Sequence, residues 1–183
     1  MSRYVALLRG INVGGNNLIK MTALKACFEE NGFEAVATFI ASGNVLFDSS
    51  GSATALVKKI ERMLGETFNY PASIVLRSRK QLKDVVAGAP PGFGSQPAKY
   101  RYDVVFLKEP LKAATALATV PRREGVDQAW AGPGVFYFSR LIAQATKSQF
   151  GRIISLPIYK SLTIRNWNTT TKLLRLLDDT GTA

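Results

Sequence analysis

Two stretches carry residue types suited to holding an anion: LLRGINVGGNN near the amino terminus and RNWNTTTKLL near the carboxyl end. In the first, Gly10, Gly14 and Gly15 are interspersed with Asn12 and Asn16, and both residue types tolerate left-handed backbone angles. Successive main-chain N–H groups in such a loop can converge on a negative charge. The spacing is neither GxGxxG nor a glycine-rich run ending in Gly-Lys-Ser/Thr, so neither standard phosphate cradle is present. The connection from Gly10 to Met21 is longer than a compact strand-to-helix link needs, a length shared by binding loops and by loops that only pack. In the second stretch, Asn168 or Thr169 is placed to cap a closing helix, with Arg165 and Lys172 flanking the positive end of its dipole. Plain capping, with Trp167 anchored in the core, is the competing account of the same residues.

What is missing narrows the chemistry further. The chain has no histidine and one cysteine, Cys27. This removes the commonest general base near neutral pH and the main ligands of zinc, iron and copper, so no transition-metal site and no cofactor are expected. Magnesium held by carboxylates and ligand phosphates stays open. Catalysis would have to rest on Asp, Glu, Lys, Tyr, Ser or Thr; Asp48, Asp103 and Lys20 are the candidates, and no spacing pairs them. Cys27 falls on an apolar helical stripe with Leu24 and Phe28, which reads as a buried structural thiol. The ASGNV stretch containing Ser42, Gly43 and Asn44 reads first as a turn, with Gly43 at positive φ and Asn44 bonding locally.

The elements that must position these residues follow from hydrophobic period. YVALLRG reads as a strand, 22–31 as a helix ended by Gly32, and AVATFI with NVLF as a hairpin. Leu56, Ile60, Met63 and Leu64 then mark a helix, followed by the strand ASIVLRS and the helix RKQLKDVVAG. After the proline- and glycine-rich GAPPGFGSQPAK the order repeats: strand YDVVFL, a helix over 111–120, a hairpin of DQAWAG and VFYFSR about Pro133 and Gly134, a helix over 147–156, strand SLTIRN and a closing helix TTTKLLRLLDD. The predicted fold is α+β, a tandem duplication of ferredoxin-like βαββαβ units with antiparallel sheets and an appended helix on each. The expected division is a first subdomain over 1–88, a linker over 89–100 and a second subdomain over 101–183.

The net charge of +11 favours anionic partners. Residues 1–50 are balanced, with four basic and four acidic side chains, while 51–110 hold ten against five and 140–183 hold seven against two. The excess is scattered, which suits a solvated surface as well as a binding one. The five-residue apolar run before Arg9 is too short for a signal-peptide core or a bilayer span, so a cytoplasmic protein with no membrane partner is expected. Nothing in the sequence sets an oligomeric state.

YVALLRGINVGGNNLIKMTALK, TFIASGNVLF and TIRNWNTTTKL together resemble the signatures of a bacterial family, domain of unknown function 1697. The matching positions are Arg9, Gly10, Asn12, Gly14, Gly15, Asn16, Ser42, Gly43, Asn44, Arg165, Asn166, Trp167, Asn168, Thr169 and Lys172. Phe39 stands where the family pattern has Tyr, and Thr170 where it has Val. The resemblance implies two ferredoxin-like subdomains and no assigned activity, so it carries over no catalytic residue. Three functions follow as expectations. The first is binding of a small phosphorylated or carboxylated ligand in a cleft where Gly14, Gly15 and Asn16 meet Arg165, Asn166 and Asn168, with Arg9, Asn12, Ser42, Asn44, Thr169 and Lys172 nearby. The second is nucleic-acid binding through the basic surface. The third is an enzyme that works without histidine.

Overall fold

The computed structural model describes residues 1–15 and 17–179. The chain runs through β1 (Ser2–Leu8), α1 (Met21–Glu30), β2 (Glu34–Phe39), β3 (Asn44–Ser49), α2 (Ala53–Phe68), β4 (Ile74–Ser78) and α3 (Arg79–Ala87). It continues with β5 (Tyr100–Leu107), α4 (Ala113–Thr119), β6 (Asp127–Gly132), β7 (Val135–Leu141), β8 (Leu162–Asn166) and α5 (Trp167–Asp178). The strands form two four-stranded sheets, β2-β3-β1-β4 and β6-β7-β5-β8, and every pairing is antiparallel. The fold is therefore mixed α+β. The chain divides into two compact units, Met1–Leu82 with Leu173–Ala183, and Lys83–Lys172.

In the first unit, alternation along β1 sends Ala6 and Leu8 into a core with Val45, Phe47, Ile74 and Leu76. Leu24, Cys27 and Phe28 of α1 and Leu56, Ile60, Met63 and Leu64 of α2 close that core, at the spacing that puts them on one helical face. Burying a side chain such as Leu24 or Ile60 completely contributes about 1.5 to 3 kcal/mol. Phe33 meets Phe47 edge-on, with centroids 4.7 Å apart, and Phe28 fills the space beside both. Ser52 caps α2 by accepting from the Ala55 N–H, and Asn69 ends it in the left-handed conformation. Val5, Leu7 and Val75 are buried too, so this sheet is covered on both faces, which is why its central strand is continuously apolar.

The second unit packs Val105, Leu107, Phe136, Phe138 and Leu162 against Ala116 and Val120 of α4 and against Phe150 and Ile153. Here the structure corrects one expectation. Residues 147–156 do not form an α-helix; the chain from β7 to β8 makes three short 3-10 helices, Ile142–Lys147, Phe150–Ser155 and Pro157–Ser161. Gly151 and the β-branched Ile153 and Ile154 weaken helix propensity, and Pro157 bars continuation. The serines divert main-chain groups: Ser148 Oγ accepts from the Phe150 N–H at 3.2 Å, and the Ser155 hydroxyl donates to Arg152 O at 2.8 Å. Asp127 fixes the result, because its Oδ2 accepts from both the Arg123 and the Gln149 N–H, at 2.9 and 2.8 Å.

Candidate functional site

In the glycine loop the side chains of Asn12 and Asn17 are engaged within the first unit. Asn12 holds φ 52, and its side-chain amide donates to Ile19 O at 3.0 Å and Ala41 O at 2.8 Å. Its Oδ1 accepts from the Ile19 N–H at 2.8 Å. The Asn12 N–H donates to Asn17 O, and the Asn17 side chain donates to Gly10 O, so the loop closes on itself. Asn12 then staples it to the turn before β3. That turn is equally committed: its Gly43 O accepts from the Leu8 N–H at 2.8 Å, and the Asn44 amide donates to Phe39 O and Ser42 Oγ, while the Arg9 N–H donates to Ser73 O, just before β4, at 3.0 Å. A Cβ at Gly43 would lie 2.9 Å from Leu8 Cβ, so a glycine is required by close approach as well as by φ 78. Gly14 and Gly15, at φ 60 and 80, face open space, so it is the left-handed backbone path and not close packing that favours glycine there. Asn16 lies outside the described residues. Of the proposed catalytic groups here, Asp48 pairs with Arg3 at 3.1 Å and Lys20 is exposed.

The second unit holds a cavity of about 290 Å³. Its origin is a mismatch of strand lengths: β8 pairs with β5 only from Asn166, opposite Asp103, so residues 100–102 of β5 run on past the end of β8, where the chain turns into α5. Arg101, Asp103, Asn166 and Asn168 form its polar walls, and Tyr100, Tyr102 and Trp167 its aromatic ones. Asn166, not Asn168 or Thr169, caps α5, because the last strand residue reaches three positions ahead and its Oδ1 accepts from the Thr169 N–H at 2.7 Å. Asn168 is thereby left exposed on the cavity wall. Arg101 is exposed as well.

Asp103 is the other charged group there. Burial raises its carboxyl above the usual range, against the opposing pull of Arg140 and Arg101. Oδ2 lies 3.4 Å from Arg140 Nη2, yet it is sealed from solvent and makes no hydrogen bond among the described residues. The Arg140 guanidinium itself sits over the Phe150 ring at 5.0 Å.

The remaining residues of the closing motif are placed elsewhere. Arg165 is buried with its Nη1 donating to Ile164 O at 2.8 Å, and burial pushes its pKa down to about 10. Arg77, at the corresponding position of β4, donates to Leu76 O in the same way. Thr169 is buried, Lys172 is exposed a turn further along α5, and neither lines the cavity. Sequence reasoning missed Arg101. The signal was the alternation in YRYDVV, which puts Tyr100 and Tyr102 on one face of a strand end and Arg101 with Asp103 on the other.

A second cavity, about 210 Å³, shares Tyr100 and Tyr102 and includes Gln128, Trp130 and Ser139. Phe93, from the segment between α3 and β5, packs edge-on against Tyr102, Trp130, Tyr137 and Trp167, with centroids 4.8 to 6.1 Å apart. Among the described residues no group of three His, Cys, Asp or Glu could hold a metal ion, and no helix is long and apolar enough to cross a membrane.

The model of DUF1697, a family of proteins of unknown function, matches residues 1–137. The chain belongs to DUF1697. The matched residues include the glycine loop, the Ser42–Asn44 turn, Arg101 and Asp103, and they end before the Arg165–Lys172 motif. A solved structure similar to this DUF1697 chain is that of a conserved bacterial protein from Streptococcus pneumoniae. The two are 28% identical with a TM-score of 0.85, over 96% of this chain and 98% of that one. No curated protein matches the DUF1697 sequence.

Proposed function

We propose that this DUF1697 protein binds a small ligand bearing a carboxylate or phosphate in the cavity at the end of β5. The observation that carries this reading is the convergence of Arg101, Asn166 and Asn168 on one space at the amino terminus of α5. An exposed guanidinium offers a planar fork for an anion, and the first N–H groups of a helix add a favourable dipole. The cavity lies at the small end of the range for ligand sites, which suits a metabolite-sized molecule. Binding through the basic surface to nucleic acid has less support, because Phe93 occupies the aromatic face of the second sheet.

The strand orders β2-β3-β1-β4 and β6-β7-β5-β8 support a tandem ferredoxin-like duplication, with 3-10 turns replacing one helix of the second copy. A lone, buried Cys27 suits a cytoplasmic setting.

The test is calorimetric titration with inorganic phosphate and with short carboxylates, on the natural chain and on Arg101→Ala. Loss of the guanidinium is expected to weaken binding by about 1.5 to 3 kcal/mol, the range for a charge-assisted hydrogen bond. The melting temperature should hold, since the residue is exposed. Undiminished affinity in the variant would overturn the reading.

A further inference from the structure

We infer that the ligand of this cavity is an α-amino acid with an apolar or aromatic side chain, its carboxylate held by Arg101 and Asn168 and its ammonium by Asp103. This deepens the proposal above and rests on it.

The argument begins with a conflict. A simple anion drawn in by Arg101 would meet the carboxylate of Asp103 in the same wall, and like charges a few ångströms apart in a part-buried site repel. A ligand that carries a cationic donor as well turns that repulsion into attraction. Arg101 and Asp103 are two residues apart on one strand, so their side chains leave the same face from Cα atoms roughly 6.6 Å apart. The cavity thus presents a positive and a negative group side by side, the charge pattern an amino acid carries across its own Cα.

The carboxylate has capacity left for such a donor. Its Oδ2 lies 3.4 Å from Arg140 Nη2 without hydrogen-bond geometry, while the side chain keeps 14% exposure. The raised proton affinity of Asp103 shows that its two arginine neighbours do not offset the cost of burial, which a directly bonded ammonium would reduce. Tyr100, Tyr102 and Trp167 supply apolar surface to a side chain. At about 290 Å³ the space is suited to one amino acid rather than to a longer peptide.

The test compares L-phenylalanine with 3-phenylpropionate, the same skeleton without the amine, by calorimetry on the full chain near neutral pH. L-Phenylalanine is expected to bind at least tenfold tighter. Asp103→Asn should abolish that preference while leaving 3-phenylpropionate at equal or higher affinity, and Arg101→Ala should weaken both ligands. Asp103→Glu, which keeps the charge, should retain the preference, so a folding defect in the Asn variant leaves the idea exposed to refutation. If 3-phenylpropionate or phosphate binds at Arg101 but the amine brings no gain, or if Asp103→Asn keeps the gain, the amino-acid inference fails and anion binding stands. If neither organic ligand binds and phosphate does not bind either, both fail.

Discussion

Asn12 shows how a side chain suited to a ligand can be taken up by its own fold. Its amide makes three bonds to the main chain, and its φ of 52 is one that asparagine accepts with little strain. Asn12→Ala is expected to lower stability by about 2 kcal/mol, since it strips three partners and adds a left-handed alanine. Asn12→Gly should cost about 1 kcal/mol less, because glycine relieves the backbone term alone. Thermal denaturation of the two variants separates the contributions. The sequence displayed the unusual loop but not what satisfies it: one acceptor, Ala41, lies 29 residues away and is set by how β2 and β3 return to β1. The same limit applied to Arg165. Alternation along β8 was legible, but the depth at which its guanidinium is buried depends on the covering of the sheet's second face, which no local pattern records.

Among elements, the strands and the long helices were legible because their apolar residues recur at one period over enough length, as in α2 with Leu56, Ile60, Met63 and Leu64. The segment after β7 was not. Its course is set by Asp127, which reaches from β6 to hold Arg123 and Gln149 together, a tertiary device invisible to periodicity. Asp127→Ala leaves those N–H groups without their acceptor and is expected to cost about 2 to 3 kcal/mol in urea denaturation, with Asp127→Asn intermediate. A loss below about 0.5 kcal/mol would show that the 3-10 turns hold themselves. The cap of α5 lies two residues before Asn168 and three before Thr169 for a related reason: Asn166 ends β8 and caps the helix at once, so strand and helix share no intervening loop.

Across the whole molecule, stability should depend on alkaline pH. Burial pushes the phenols of Tyr70, in the first unit, and Tyr137, in the second, up to about 12. A folded-state pKa above the unfolded one contributes stability that is present below about pH 10 and is lost as pH rises through 12. Arg165 acts in the opposite sense, because its lowered pKa lets the folded chain shed that proton first. Comparing the natural chain with Tyr137→Phe cancels Arg165: the variant should lose stability less steeply from pH 10 to 12. It should also be weaker by about 1 kcal/mol at neutral pH, for the bond its hydroxyl donates to Val85 O. Parallel slopes for the two proteins would refute the assignment. The cluster around Phe93 has one more consequence. Both tryptophans of the chain, Trp130 and Trp167, belong to it, and both lie in the second unit. Indole emission is therefore an optical gauge of that unit alone, whereas far-ultraviolet dichroism registers the helices of both, and only when the two curves coincide does a fluorescence midpoint describe the molecule.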